Sequence, residues 1–336
     1  MGAPDSPLNA RDKALLDAVI ARDRRSLAKA ITLVESTRPD HRARAQALID
    51  ALLPHAGNSL RIGITGVPGV GKSTFIETFG LALIGRRHRV AVLAIDPSST
   101  LGGGSILGDK TRMEKLSMHA DAFVRPSPAA GSLGGVAART REAVLVCEAA
   151  GFDIVIVETV GVGQSETAVA SMTDVFLLLQ LPNAGDELQA MKKGVIELAD
   201  LVAVNKADLD REAAESAVGQ IARVLAMLRP RTSGWSPAIL AVSAATGVGI
   251  PELWQRISAY RDTMRANGEL AAKRRRQALD WMWQLINEAL RAQFHAHPAV
   301  QEKIDRLVDA VARGQTSPTA AAARLVALAE QRKGPA

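Results

Sequence analysis

The chain has 336 residues, enough for one large domain with additions or for two domains. Apolar residues make up 47% and aromatic residues 3%, which supplies a sizeable core, excludes a disordered chain and argues against base-stacking platforms for nucleic acid. A net charge of +6 is mild for this length, and one cysteine, Cys147, excludes a disulfide framework and a cysteine-rich metal site.

Residues 1–58 read as helical. Leu15, Leu16, Val19, Ile20, Leu27, Ala30, Ile31 and Val34 recur at helical spacing through one long segment, and a second segment, 40–53, stops at Pro54. Residues 59–262 alternate short apolar runs with amphipathic stretches. The runs RIGIT, VAVLAID, DIVIVE, VFLLLQ, LVAVN and AILAVS are apolar on both faces, the pattern of parallel strands covered by helices on both sides. The expectation is an α/β fold of P-loop NTPase type, its mostly parallel sheet flanked by helical extensions. Chemistry then belongs at the carboxyl ends of the strands. Residues 263–336 return to helix: 274–294, then 300–314 closed by Gly314, then a helix with Ser317 as N-cap and Pro318 at its first position. Cys147 falls in a buried helix position. The basic run Lys273–Arg276 reads as a solvated helix face rather than a nucleic-acid site. No apolar run is long enough to span a bilayer, and no apolar signal region opens the chain, so a cytoplasmic location without membrane or nucleic-acid partners is expected.

The strand at 61–65 runs into Gly66, Val67, Pro68, Gly69, Val70, Gly71, Lys72 and Ser73, which spell G-x-x-x-x-G-K-[ST]; Thr74 follows as the helix begins. The glycines let successive backbone N–H groups turn toward phosphate oxygens, and the helix N-terminus adds partial positive charge. Lys72 is placed to neutralise the β- and γ-phosphates, and Ser73 to ligate Mg²⁺. After a later strand stand Asn205, Lys206 and Asp208 in NKAD. A carboxylate there accepts from guanine N1–H and the exocyclic amine, a donor pair that adenine lacks, so GTP and GDP are expected over ATP. Ser243, Ala244 and Ala245 open SAATG after the next strand, where a backbone N–H can meet the guanine oxygen.

Asp96 ends the second run, Asp109 lies in GDKTRM, and Glu158 ends DIVIVE inside ETVGVGQSE. These carboxylates suit Mg²⁺ and the attacking water; capping or loop hydrogen bonding is the alternative for Asp96 and Asp109. Gly161 can offer its N–H to a γ-phosphate. Gln164 stands three residues beyond it instead of adjacent, so slow intrinsic hydrolysis completed by a partner is expected. Asp186 and Lys192 can pair across a loop that reports nucleotide state, although unrelated charges at an exposed helix start fit the residues equally.

GVPGVGKST, DPSS, ETVGVGQSE, GDELQAMKKG and NKAD, in this order, resemble the G-protein chaperones of cobalamin-dependent methylmalonyl-CoA mutase, also described as ArgK-type or LAO/AO transport ATPases. The resemblance covers nearly the whole chain. It implies a Mg²⁺-dependent GTP hydrolase that binds methylmalonyl-CoA mutase or a related acyl-CoA mutase, gates adenosylcobalamin loading and protects or reactivates the mutase. The cobalamin adenosyltransferase is a further implied partner. Lys72 and Ser73 would bind phosphate and metal, with Asp96, Asp109 and Glu158 around the metal and water. The segment from Asp186 to Lys192 would be a partner-coupled switch, and 263–336 a dimerisation arm; the helical stripe Trp281, Leu285, Ile286, Ala289 and Leu290 fits either that contact or packing on the chain's own GTPase domain. The rivals are a small-molecule kinase or transport ATPase, which NKAD opposes, a metal-insertion GTPase, for which His295 and His297 are poorly spaced, and a purely structural partner with a dead nucleotide site.

Overall fold

All six apolar runs are strands, and a seventh joins them in a fully parallel sheet. The computed structural model describes residues 8–96, 113–128, 133–159, 164–182, 193–227 and 234–330. The strands are β1 (Leu60–Gly66), β2 (Val90–Asp96), β3 (Ala122–Pro128), β4 (Ile154–Thr159), β5 (Val175–Gln180), β6 (Leu201–Val204) and β7 (Ala238–Ala241). Their spatial order is β3-β2-β4-β1-β5-β6-β7. From β1 the chain runs out to β2 and β3 on one side, returns to insert β4 between β1 and β2, and then steps out through β5, β6 and β7 on the other; the carboxyl ends of β1, β4 and β5 lie side by side, with Ile64 in register with Glu158 and with Leu177.

β3 is the strand the apolar pattern does not announce. It carries Arg125, Pro126 and Pro128, and proline is tolerated because the strand is the sheet's edge, where one side needs no ladder.

Alternate strand residues enter different cores, as a period of two requires. Val90, Val92, Ile154, Ile156 and Leu177 pack with Phe75, Ile76, Phe79 and Leu83 of α4 (Lys72–Ile84) and with residues of a helix at Ile250–Ala266. Ala91, Leu93, Val155, Val157 and Phe176 face the other way. They share a core with α1 (Ala10–Ile20), α2 (Arg24–Val34) and α3 (Pro39–Leu52), and with the helix Leu133–Ala149, whose Cys147 is fully buried. Burial pushes that thiol's pKa up, beyond any reactive range.

The first helical segment is two helices rather than one. Arg22 adopts φ 67, and Asp23 then caps α2 by accepting from the Ser26 N–H at 2.7 Å.

Helices α5 (Glu114–Met118), α6 (Leu133–Ala149), α7 (Gln164–Ala170), α8 (Lys193–Ile196) and α9 (Arg211–Met227) alternate with the later strands, and α10 (Ile250–Ala266) closes the series. The chain divides into two compact units, Met1–Arg275 and Arg276–Ala336, and the division falls within α11 (Glu269–Ala296). The second unit also holds α12 (Pro298–Ala312) and α13 (Pro318–Glu330). Ser317 caps α13 by accepting from the Ala320 N–H at 3.1 Å, and Pro318 occupies its first position. His297 is the N-cap residue of α12, so it and His295 lie on different helices. In the second unit, Leu279, Trp283, Leu285, Ile286 and Leu290 of α11 are exposed.

The basic run corrects the sequence expectation. Arg275 and Arg276 are exposed, but Lys273 and Arg274 are half-buried beneath the amino-terminal end of the sheet. Arg274 donates to both oxygens of the fully buried Asp174 carboxylate and to the Gly57 and Ser59 carbonyls, while Lys273 donates to the Asp174 carbonyl. These bonds fix the start of α11 to the base of β5. A cation run on an amphipathic helix does not reveal which of its members turn inward.

Candidate functional site

β1 ends where the phosphate loop begins. Gly66 can carry no side chain, because a Cβ there would lie 2.6 Å from the Leu179 carbonyl oxygen of β5. Gly69 and Gly71 adopt φ 83 and φ 89, the left-handed region that glycine enters without strain. Gly71 is the N-cap of α4, so the first free N–H groups of that helix open onto the loop.

Lys72 sits on the first turn of α4. Its ammonium donates to the Gly66 carbonyl at 2.8 Å and to the Val67 carbonyl at 3.3 Å. An ammonium has three donors, so one remains for a phosphate oxygen. Burial holds the Lys72 pKa below its usual value, and the negative fields of Glu158 and Glu166 oppose that shift. Glu158, at the end of β4, is buried, and Ser73 is half-buried on the same first turn as Lys72. One residue further along β4, Thr159 shares a 2.8 Å hydroxyl contact with Thr65 of β1, which ties the two strand ends together.

Asn205 is the joint between the two halves of the site. It follows β6, is buried, and its Nδ2 donates to the Val70 carbonyl of the phosphate loop at 2.8 Å. Its Oδ1 accepts from the Ala244 N–H at 3.0 Å. A Cβ on Gly71 would lie 3.0 Å from Asn205 Nδ2, so the bare backbone there makes room for the amide. The sequence groups Asn205 with the nucleotide-binding residues; both hydrogen bonds described for its side chain go to protein and tie two loops together. Lys206 follows at φ 62, and Asp208 is exposed at the rim.

The 243–247 turn uses nearly all its own backbone N–H groups. Ser243 N–H donates to Val248 O, Thr246 N–H to Ser243 Oγ, and Gly247 N–H to Ser243 O. With Ala244 N–H on Asn205, only the exposed Ala245 N–H has no partner among the described residues.

Asp109, Gly161, Asp186 and Lys192 are outside the described residues, as are the side chains of Asp96 and Gln164, whose backbones end β2 and begin α7. Among the described residues no group of three or more His, Cys, Asp and Glu side chains could hold a metal ion. Ser73 and Glu158 are hard oxygen donors of the kind Mg²⁺ takes, and that ion characteristically completes its shell with water and substrate phosphate. Sequence reasoning passed over Glu166, which acts on Lys72 through its charge, and the Thr65–Thr159 pair, which carries no motif.

A family model described as methylmalonyl Co-A mutase-associated GTPase MeaB matches residues 27–299. A Caulobacter vibrioides relative is 55% identical over 309 residues, spanning 92% of this chain and 95% of its own. GTPase ArgK of Escherichia coli is 49% identical over 261 residues, 77% of this chain and 79% of its own. The crystal structure of a LAO/AO transport system kinase superposes with a TM-score of 0.78 at 37% identity, over 96% of this chain and 99% of that one. A family model that matches most of the chain, with relatives 55% and 49% identical over most of their own length, shows its kinship: the chain belongs to the methylmalonyl Co-A mutase-associated GTPase MeaB family.

Proposed function

We propose that this protein is a Mg²⁺-dependent GTP hydrolase that acts as a chaperone of adenosylcobalamin-dependent methylmalonyl-CoA mutase or a related acyl-CoA mutase. The observation that carries the nucleotide reading is the Asn205 bridge, which joins a phosphate-binding loop to a turn with one unspent N–H. Phosphate is met by the loop N–H groups and the remaining Lys72 donor. The Ala245 N–H suits the guanine oxygen, where adenine presents an amine. Asp208 suits N1–H and the exocyclic amine. Rejecting adenine then rests on leaving polar groups unpaired, the strong form of discrimination.

Ser73 and Glu158, with Asp96 and Asp109, would hold Mg²⁺, which when bound supplies charge neutralisation at the β- and γ-phosphate oxygens. Lys72 binds and orients the same oxygens. Glu158 is a buried carboxylate at the strand end beside Lys72, suited to accept a hydrogen bond from the attacking water. Gly161, Gln164 and the Asp186–Lys192 segment serve in this reading as switches that report the γ-phosphate to a partner.

The mutase assignment draws on the family description and on the sequence resemblance; adenosylcobalamin is the mutase's cargo in this reading, and the cobalamin adenosyltransferase is a second partner. A homodimer through 263–336 is supported by the exposed Leu285, Ile286 and Leu290 of α11. Among the described residues no helix is long and apolar enough to cross a membrane. Phosphate release from GTP, measured with and without purified mutase, tests the proposal. Turnover accelerated by the mutase is expected; equal rates with and without it overturn the chaperone reading.

A further inference from the structure

We infer that Thr78 is a positioning residue for base selection: it bolts the turn that reads the purine to the helix that holds the phosphates. The inference rests on the guanine-nucleotide reading of the site and deepens it. Thr78 lies on α4, half-buried, and its hydroxyl donates to the Ala244 carbonyl at 2.7 Å. The other face of the same residue is held by Asn205, which accepts from the Ala244 N–H at 3.0 Å. Ala244 itself is buried.

Ala244 is therefore fixed on both of its backbone polar groups, one by the NKAD turn and one by α4. Asn205 also reaches the Val70 carbonyl, so the links form a closed circuit: phosphate loop, Asn205, Ala244, Thr78, and back along α4 to the loop. A circuit of this kind fixes the distance between the two ends of a bound nucleotide. The peptide group that joins Ala244 to Ala245 carries both the carbonyl held by Thr78 and the N–H of Ala245, the one backbone N–H of the 243–247 turn left unspent among the described residues. Its direction follows from how Ala244 is held. Thr78 touches neither phosphate nor base in this scheme and acts only through Ala244.

The consequence is specific to one edge of the purine. GTP and inosine triphosphate both offer an oxygen to the Ala245 N–H, whereas ATP offers an amine. GTP and inosine triphosphate differ only in the exocyclic amine, which is the Asp208 edge. Loosening Ala244 should therefore erode the choice of GTP over ATP and leave the choice of GTP over inosine triphosphate untouched.

The test measures Kd for GDP, inosine diphosphate and ADP, and steady-state GTP turnover, in the full-length protein and two variants. Thr78→Val keeps the shape and removes the hydroxyl; Thr78→Ser keeps the hydroxyl. With Thr78→Val the guanine-to-adenine preference is expected to fall about fivefold to tenfold, the worth of one neutral hydrogen bond, with KM for GTP raised and kcat within about twofold. The guanine-to-inosine preference stays as in the parent protein, and Thr78→Ser restores parent values. An unchanged guanine-to-adenine ratio in Thr78→Val, or an equal fall in both ratios, overturns the role assigned to Thr78. A parent protein that itself binds ADP as tightly as GDP instead refutes the guanine reading beneath it.

Discussion

Replacing Asn205 with alanine probes the joint on which the site depends. The substitution removes one donor and one acceptor and leaves the Val70 carbonyl and the Ala244 N–H without their partner. Both lie at buried residues, so each orphaned group costs about 1–3 kcal/mol, less where water can reach it; about 2–4 kcal/mol in total is expected. At about 2–4 °C for each kcal/mol in a domain of this size, the melting temperature falls by roughly 4–16 °C. The effect on ligand is separable. GTP at a thousand times the parent Kd stabilises the parent protein by about 4.1 kcal/mol. If loosening the two loops weakens binding about a hundredfold, the same concentration stabilises the variant by only about 1.4 kcal/mol. Thermal unfolding with and without GTP and Mg²⁺ reads both quantities. A variant that melts as the parent does, with the full GTP-dependent rise, would refute the claim that Asn205 joins the loops.

Three further outcomes follow from buried charge and base recognition. Burial, opposed by Arg139, pushes the Glu142 carboxyl from its ordinary 4.5 up to about 7. Between those pH values the unfolded chain has lost the proton that the folded chain keeps, so stability falls as pH rises through the window and is level above it. Glu142→Gln should therefore be more stable than the parent at pH 8, by on the order of 2 kcal/mol after allowing for partial exposure, with the gap closing toward pH 4.5 in urea unfolding curves. Arg274→Met leaves the fully buried Asp174 carboxylate with the Arg61 N–H but without its guanidinium; a loss of about 3–5 kcal/mol is expected, much of it recovered when Asp174→Asn is added. Asp208→Asn should weaken GTP binding and admit xanthosine triphosphate, read by competition for a fluorescent guanine nucleotide.

The parts of this molecule that were legible in sequence are those where local chemistry has one solution. Short two-sided apolar runs rich in Val and Ile that alternate with amphipathic stretches fit buried parallel strands, and the run from Gly66 to Ser73 between a strand and a helix has few other uses. β3 was hidden because an edge strand needs only one ladder and can carry Pro126 and Pro128. The break at Arg22 was hidden because the apolar spacing continues across it; Asp23 with Ser26 is the capping signal that marks it in retrospect. Lys273 and Arg274 look like their exposed neighbours until the helix is seen to start beneath Asp174. Thr78 carries no signal at all, because its partner is a backbone carbonyl brought near only by folding.

Equilibrium titration of the purified full-length protein with GDP and with ADP, in Mg²⁺ and with a Lys72→Ala control, tests the central claim most directly. Tight GDP binding, ADP binding weaker by two orders of magnitude or more, and loss of GDP affinity in the control are the expected results. Equal affinity for the two diphosphates, or GDP binding undiminished by loss of Lys72, would contradict the account.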